Sequence, residues 1–237
     1  MTRRRVGILG GTFDPIHYGH LDVGDAAQTA LGLSRMYVVT ANVPPHRRQP
    51  VASPFQRYAM VVLAVGQRPG WRASDMELRL EGPSYTSDTL ARYSQRGYEH
   101  AELFFVIGAD AFFEIESWRD YPHILDAAHF VVISRPGIPV RAVAARLPHL
   151  GARMVTGPAD ALTSNVPLII LIDAPTADVS STAIRERLAA GESIDGLVLP
   201  RVRQHIEQHG LYTPMTAGRG AGDAAQTSQA GRLHGQD

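Results

Sequence analysis

The sequence of 237 residues contains no cysteine. This absence excludes disulfide bonds, thiol catalysis and zinc sites with cysteine ligands, and it fits a reducing cytoplasm. A surplus of one charge sign is also missing, because 23 basic residues balance 23 acidic ones. The chain therefore lacks the basic excess that is typical of nucleic-acid-binding proteins, although a small local anion site is compatible with zero net charge.

Long hydrophobic runs are absent as well. The apolar run that ends at Gly10 is too short for a signal peptide. No other run approaches the roughly 18 apolar residues of a membrane span. We therefore expect a cytoplasmic protein with no membrane and no nucleic acid among its partners.

The last part of the chain differs from the rest in composition. Residues 214–237 are mainly glycine, alanine, glutamine and serine, with almost no large apolar side chain. Such a segment buries too little apolar surface to offset its ordering entropy. We predict a single domain over residues 1–213, followed by a flexible low-complexity tail over 214–237.

Short apolar runs that are rich in β-branched or aromatic residues recur along the predicted domain. They are too short for helices and are typical of strands that are buried on both faces of a parallel sheet. The runs cover residues 6–9, 36–40, 103–107, 130–133 and 168–172, with weaker candidates at 71–73 and 153–155.

Helical spacing of apolar residues appears between these runs, over 20–31, 54–65, 86–93, 181–190 and 200–208. Residues 136–140 are interpreted as a loop. Alternation of strands and helices predicts right-handed crossovers and an α/β fold. We expect a Rossmann-like, doubly wound parallel sheet with helices on both faces.

The segment Gly-Gly-Thr-Phe-Asp-Pro-Ile-His-Tyr-Gly-His, residues 10–20, links the first predicted strand to the first predicted helix. Gly10 and Gly11 predict a turn whose bare backbone approaches a ligand and exposes amides to phosphate. His17 and His20 are three residues apart, so on a helical turn both rings share one face. Two alternatives stay open, namely a tight turn without a ligand and a zinc site whose third ligand is a carboxylate or His46.

A second candidate anion site lies in the last third of the predicted domain. The hydroxyls of Ser180, Ser181 and Thr182 suit a helix N-cap, and the same groups can bind phosphate. Arg185 follows one turn later and can reach the same anion. The alternative is a simple helix cap with a surface arginine.

These two motifs together identify a resemblance. The first resembles the signature of the nucleotidyltransferase superfamily with a His-x-Gly-His motif, and its extended form is similar to the bacterial nicotinate-nucleotide adenylyltransferases. The second resembles the Ser-Ser-Thr-x-Ile-Arg motif with which that family binds the triphosphate of ATP. The resemblance covers about residues 5–213.

The resemblance implies a function: AMP is transferred from ATP to nicotinate mononucleotide, giving nicotinate adenine dinucleotide and pyrophosphate. It implies three catalytic residues, His17, His20 and Arg185. It implies an ATP site formed by Gly10, Gly11, Thr12, Phe13, Gly108, Asp110, Ser181 and Thr182. It implies contacts to the mononucleotide from Asn42, His46, Arg47, Thr86 and Trp118.

Within the mononucleotide set, the family presents the backbone amide of the Ser-Tyr-Thr turn, here at Thr86, to the pyridine carboxylate, and it stacks the pyridine ring on the tryptophan. From the residues alone, Trp118 could equally be a core aromatic. Many relatives have Pro-Asn where this chain has Thr40 and Ala41, which puts one polar contact in doubt. Arg119 replaces a tyrosine of some relatives, and the role of Arg135 stays open between ligand contact and structure.

The implied chemistry needs no general base, because the phosphate of the mononucleotide is already ionised near neutral pH. Catalysis then consists mainly of positioning and of charge stabilisation by cations, for which the histidines, Arg47 and Arg185 are candidates. Mg²⁺ is expected to bind mainly through the substrate phosphates, with no protein ligand named.

Alternatives to this function are a sister enzyme, such as a phosphopantetheine adenylyltransferase or a cytidylyltransferase, and a nucleotide-sensing regulator. The Ser-Tyr-Thr turn and Trp118 argue against the sister enzymes, and no output module is visible for a regulator. The sequence does not rank nicotinate against nicotinamide mononucleotide. It also leaves the oligomeric state open, a homo-oligomer included.

Overall fold

A computed structural model describes residues 4–45, 49–157 and 163–213. Seven strands form one sheet in the order β3-β2-β1-β4-β5-β7-β6, and every neighbouring pair is parallel. The strands are β1 Val6–Gly11, β2 Arg35–Thr40, β3 Trp71–Ser74, β4 Leu103–Gly108, β5 His129–Ile133, β6 Met154–Thr156 and β7 Ile169–Ile172.

Seven α-helices accompany the strands within the described ranges. They are α1 Tyr18–Leu31, α2 Pro54–Val65, α3 Thr86–Gln95, α4 Ala109–Phe112, α5 Val140–Arg146, α6 Ser181–Ala189 and α7 Pro200–Gln208. Single 3₁₀ turns fill several of the connections. The predicted doubly wound α/β fold is confirmed.

Two hydrophobic layers sandwich the sheet. On one face, side chains of α1, α2, α6 and α7 pack together, represented by Leu21, Met60, Ile184 and Val202. On the other face, α3, α4 and α5 supply Leu90, Phe112 and Val143 among others. Because both faces are covered, the central strands read as continuous apolar runs, and β5 is buried along its whole length.

The strand order reverses between β1 and β4. From β1 the chain first winds outward through β2 and β3, and then returns to place β4 on the other side of β1. At such a switch point the connections leave the carboxyl ends of two adjacent strands in opposite directions, which opens a crevice between them. The fold therefore places the segment after Gly11 and the segment after Gly108 on either side of one crevice.

Two local expectations need correction. The chain forms a narrow turn closed by an Arg135–Ile138 bridge, and Val140, which was interpreted as loop, begins α5. The short helices α4 and α5 were not predicted, because helices of four and seven residues hold too little periodic pattern. The single domain over residues 1–213 and the tail over 214–237 stay predictions, because residues 214–237 lie outside the described residues.

Within the part of the chain that the structure describes, no helix combines the length and the apolar character that a membrane crossing requires.

Candidate active site

A cavity of about 490 Å³ opens at the carboxyl ends of β1 and β4. Its walls come from the segment after β1, the start of α1, the end of β4 and the start of α6. The residues predicted as catalytic or ATP-binding all line it: Gly10, Gly11, Thr12, Phe13, His17, His20, Gly108, Asp110, Ser181, Thr182 and Arg185. The fold thus brings the two sequence motifs to one cavity.

The glycines of this cavity are determined by close approach of their neighbours. Gly10 and Gly11 are the last residues of β1 rather than a turn, which corrects the expectation from the sequence. A Cβ atom at Gly11 would lie 2.8 Å from the ring of Phe13, which folds back with a φ of 51°. A Cβ atom at Gly108 would lie 2.5 Å from Oδ1 of Asp110. Glycine therefore allows Phe13 and Asp110 to cover the strand ends.

The rings of His17 and His20 lie side by side, which agrees with the prediction that they share one face. Only His20 lies within the helix, however. His17 is the N-cap of α1 in extended conformation, and His20 lies in the first turn. Their ring centroids are 3.7 Å apart. The backbone N–H of His17 donates to Nδ1 of His20 at 3.3 Å. Since Nδ1 accepts, the proton of a neutral His20 ring lies on Nε2.

His17 is not the cation that the sequence suggested. The side chain is almost fully buried, with 3 % of its surface exposed. Burial, followed by the charge of Arg135, lowers its pKa from 6.5 to about 3. Its Nδ1 has no hydrogen-bond partner among the described residues. In this structure the ring is therefore neutral at physiological pH and contributes a polar N–H rather than a charge.

A pH-dependent contribution to stability follows from this burial. The pKa of His17 is about 3 in the folded protein and 6.5 in the unfolded chain, so its contribution is fully present above pH 6.5 and is lost as the pH falls toward 3. We expect the stability of the wild type relative to a His17→Gln variant to fall by about 2 kcal/mol between pH 7.5 and pH 5. Urea unfolding at both pH values measures it, and a constant difference would contradict the assignment.

The start of α6 forms the opposite wall of the cavity. Ser180 is the predicted N-cap, and its hydroxyl accepts from the backbone N–H of Ala183 at 3.1 Å. The hydroxyl of Ser181 donates to the carbonyl of Pro15 at 2.9 Å. Arg185 donates to the carbonyl of Asp14 at 2.7 Å and to Oγ1 of Thr182 at 3.2 Å. These bonds hold the second motif directly against the first.

A smaller cavity of about 180 Å³ adjoins the first one, and the two share Gly10, Gly11 and Thr12 as lining. Thr86 and Trp118 line it, as expected for the two predicted pyridine contacts. Phe105 packs edge-on against the ring of Trp118 with centroids 6.0 Å apart. Trp118 stays partly exposed, so one part of its face is open to the cavity.

Three predicted mononucleotide contacts remain besides Thr86 and Trp118, namely Asn42, His46 and Arg47. The side-chain N–H of Asn42 donates to the carbonyl of Leu80 at 2.8 Å, and Asn42 is not among the lining residues. Its amide therefore fixes the loop that follows β2. His46 and Arg47 lie outside the described residues, so their predicted contacts stay predictions.

The Ser-Tyr-Thr turn of the structure does not cap α3 with a hydroxyl. The N-cap is Tyr85, and it has no side-chain cap bond. Ser84 instead accepts the backbone N–H of Asn42 at 2.8 Å and donates its own backbone N–H to Val43 at 2.8 Å. These bonds join the turn to the end of β2 and place Thr86 at the cavity wall.

Known proteins resemble this chain in sequence over most of its length. Residues 8–187 match the family model described as cytidylyltransferase-like. The nicotinate-nucleotide adenylyltransferases of Salmonella typhimurium and Salmonella typhi are each 40% identical over 206 residues, which is 86% of this chain and 97% of theirs. The chain belongs to the nicotinate-nucleotide adenylyltransferase family.

Solved structures agree with the fold of this family. A Plasmodium falciparum nicotinic acid mononucleotide adenylyltransferase complexed with NaAD matches with a TM-score of 0.67 at 19% identity, covering 88% of this chain and 97% of that one. The same enzyme complexed with APC matches with a TM-score of 0.64. Sequence identity at this level supports the common fold alone.

Arg57 is a residue of this family member that the sequence reasoning missed. It lies in α2, is fully buried and has no carboxylate in its bonds. Its guanidinium donates to four backbone carbonyls, those of Thr12 at 2.7 Å, Ala41 at 2.6 Å, Asn42 at 2.8 Å and Ala52 at 3.2 Å. A signal was available, because Arg57 falls on the apolar face of α2 with Met60, Val61 and Ala64.

The side chain of Asp14 organises the same region. Its carboxylate accepts from the backbone N–H groups of Val51 at 2.8 Å and Ala52 at 3.1 Å, and from the hydroxyl of Tyr212 at 2.9 Å. Arg185 approaches it at 3.7 Å. Asp14 therefore links the first motif to the loop before α2 and to the end of the described chain.

Arg135, whose role the sequence left open, makes structural bonds. It donates to the carbonyls of Gly19 at 3.1 Å and Val179 at 3.3 Å. It thus connects the first turn of α1 to the segment before α6, and it also lines the larger cavity. Its charge contributes to the low pKa of His17.

The side chain of Arg119 makes two contacts with the start of α3. Its guanidinium lies 4.6 Å from the ring centroid of Tyr85 and donates to Asp88 at 3.1 Å. The residue after Trp118 is therefore bound to the first turn of α3. This contact keeps the tryptophan and the Ser-Tyr-Thr turn at a fixed separation.

The larger cavity is lined by hydroxyls, imidazoles and backbone groups, and also by the guanidiniums of Arg135 and Arg185 and the carboxylates of Asp14 and Asp110. Among the residues of 4–45, 49–157 and 163–213, no three histidine or carboxylate side chains come together as a metal site. His46, one candidate for the third ligand of the zinc alternative, lies outside these ranges.

Proposed function

We propose that this protein transfers the AMP group of ATP to nicotinate mononucleotide and forms nicotinate adenine dinucleotide and pyrophosphate. One observation carries the proposal: a cavity with phosphate-binding donors and a cavity with a stacking face share Gly10, Gly11 and Thr12 as their common wall. The names of the relatives describe the same reaction partner. The proposed setting is the cytoplasm, in NAD biosynthesis.

The reaction is a displacement at the α-phosphorus of ATP. A phosphate oxygen of the mononucleotide forms the new P–O bond, and the bond to the bridging oxygen of the pyrophosphate breaks. No general base is needed, because the attacking phosphate is already ionised. The protein contributes positioning and stabilisation of the charge that moves onto the leaving pyrophosphate.

Three side chains are proposed to do this work. Arg185 is a fixed cation of the cavity, and its bond to the carbonyl of Asp14 preorganises it. His20 offers Nε2–H, because its Nδ1 accepts the amide of His17. His17 acts as a neutral donor in a buried position, where a hydrogen bond is stronger than in water.

The ATP site is proposed to include the amides and hydroxyls at the start of α6. Ser181 and Thr182 lie where the N-terminal end of a nine-residue helix meets the cavity. The positive end of the helix dipole favours a phosphate there. Mg²⁺ is proposed to bind together with the substrate, since it neutralises phosphate charge and keeps several water ligands.

The mononucleotide is proposed to occupy the smaller cavity. Its ring stacks on Trp118, and its carboxylate accepts from the backbone N–H of Thr86 at the N-terminus of α3. The proposal keeps His46, Arg47 and Asn42 near the phosphate of this substrate. The oligomeric state plays no part in it.

One assay tests the function directly. The protein is mixed with ATP, Mg²⁺ and either nicotinate or nicotinamide mononucleotide, and pyrophosphate release is followed. Release with nicotinate mononucleotide, together with a dinucleotide product of the expected mass, is the expected result. No release with either mononucleotide would overturn the proposal.

The stacking role of Trp118 gives a second prediction. We expect Trp118→Ala to raise the KM for the mononucleotide about tenfold, because loss of stacking removes roughly 1 kcal/mol and more with the lost contact area. The KM for ATP should change less than twofold. Trp118→Phe is the matched control and should stay near the wild type. Equal increases in both KM values would indicate a packing role.

A further inference from the structure

A buried acid lies on the wall of the smaller cavity. Glu77 has 8 % of its surface exposed and lines this cavity together with Ser84, Thr86 and Thr89. Among the described residues that line the cavity, it is the one with an ionisable side chain. A carboxyl group is an unexpected neighbour for a substrate that carries a carboxylate on its ring.

A hydrogen bond connects Glu77 to the helix that begins with Thr86. Its Oε1 accepts from the hydroxyl of Thr89, in the first turn of α3. The hydroxyl of Ser84 lowers the pKa of Glu77, and Ser84 accepts the backbone N–H of Asn42 at 2.8 Å. Glu77 therefore lines the same cavity as Thr86, at whose amide the ring carboxylate is proposed to bind.

The surroundings of Glu77 disfavour a negative charge. Burial raises the pKa of Glu77, the bonds from Thr89 and Ser84 and the charge of Arg92 oppose this rise, and Asp88 adds to it. Asp88 itself is paired with Arg119 at 3.1 Å. The other described lining groups near it, Phe105 and Trp118, carry no charge. A second carboxylate in this cavity therefore meets little compensating charge.

We propose that Glu77 is a specificity-determining residue of the mononucleotide site, and that it takes up a proton from solvent when nicotinate mononucleotide binds. This inference rests on the proposed function. Two carboxylates that share one small cavity repel each other when both are ionised, so the entry of one favours protonation of the other. Nicotinamide mononucleotide brings a neutral amide, and it imposes no such demand.

Selection between the two mononucleotides then depends on pH. Binding of nicotinate mononucleotide raises the affinity of Glu77 for a proton. The preference for nicotinate is therefore fully present at low pH, and it is lost as the pH rises toward the pKa of Glu77 in the complex. The preference of the site is thus set by a proton on the enzyme as well as by the amide of Thr86. The phosphate groups of the two substrates titrate alike, and their effects cancel in a ratio.

The test compares kcat/KM for nicotinate and nicotinamide mononucleotide between pH 6.0 and pH 8.5. In the wild type we expect the nicotinate-to-nicotinamide ratio to fall at least about fivefold over this range. In Glu77→Gln, which keeps the shape and an acceptor oxygen, the ratio should change less than twofold. Glu81→Gln, at an exposed acid four residues away, is the matched control and should follow the wild type.

A pH-independent ratio in the wild type, or an unchanged pH dependence in Glu77→Gln, would overturn the inference. If Glu77→Gln fails to fold, calorimetry of the wild type decides the question. Each mononucleotide is titrated into the protein in two buffers of different ionisation enthalpy. Binding of nicotinate mononucleotide should be accompanied by more proton uptake than binding of nicotinamide mononucleotide, and equal uptake contradicts the inference. Pyrophosphate release with a constant ratio rejects this inference alone, whereas no release with either substrate rejects the proposed function.

Discussion

His20→Ala is expected to lower kcat by about two to three orders of magnitude while the protein stays folded. The expected loss is that of one preorganised donor at the charge that develops on the leaving group. His20 is a suitable donor because its Nδ1 is engaged by the His17 amide at 3.3 Å, which directs the ring proton to Nε2. The measurement is kcat from pyrophosphate release, with thermal unfolding by circular dichroism as the check on folding.

His17→Ala should have a similar effect on kcat. The ring is buried and neutral, and it lies 3.7 Å from the ring of His20, so its removal also loosens the second histidine. His123→Ala, at an exposed histidine on the surface, is the control and should leave kcat unchanged. Near-normal turnover in both the His17 and the His20 variants would contradict the catalytic assignment.

Arg57→Met is expected to cost about 2–4 kcal/mol of unfolding free energy, the largest stability effect we predict. The substitution leaves four buried carbonyl oxygens without the donor that now satisfies them, and each such loss costs about 1–3 kcal/mol, partly offset by the lower cost of burying an apolar side chain. Burial lowers the pKa of the Arg57 guanidinium, with Asp14 opposing. Urea unfolding measures the change.

The same substitution should also disturb function, because Arg57 joins the segment after β1 to the loop after β2. These segments line the two cavities on either side of their common wall. Arg187→Met, at an exposed position of α6, is the matched control. A loss for Arg57→Met no larger than that of the control would show that the carbonyls find water, and the positioning argument would fail.

The sheet could be predicted because its signal is local. Residues 130–133 of β5 are apolar at every position, since both faces of the strand are covered, and such a run is typical of a buried strand. The crevice follows from the strand order, which is a property of the assembled sheet that the alternation of strands and helices alone does not supply. The short helix α5 could not be predicted either, because seven residues with two buried positions carry almost no periodic signal.

The candidate site was predictable where a motif carries it and hidden where tertiary contacts do. Both motifs that are predicted to bind phosphate lie at one cavity. The neutral state of His17 depends on burial beneath several elements, which no local pattern reports. The same holds for Glu77, whose bonds reach across to α3, and for Asn42, whose amide is engaged by a distant carbonyl. Such roles are properties of the assembled fold.

The bond between Tyr212 and Asp14 has a consequence for the order of synthesis. These residues are 198 positions apart, and the hydroxyl of Tyr212 is one of the groups that hold the Asp14 carboxylate. Arg185, which bonds to the same aspartate, is also made late. A ribosome therefore releases the opening motif first and its partners last. The growing chain cannot complete its nucleotide site until almost the whole domain has emerged, so a nascent fragment has no finished pocket with which to sequester ATP.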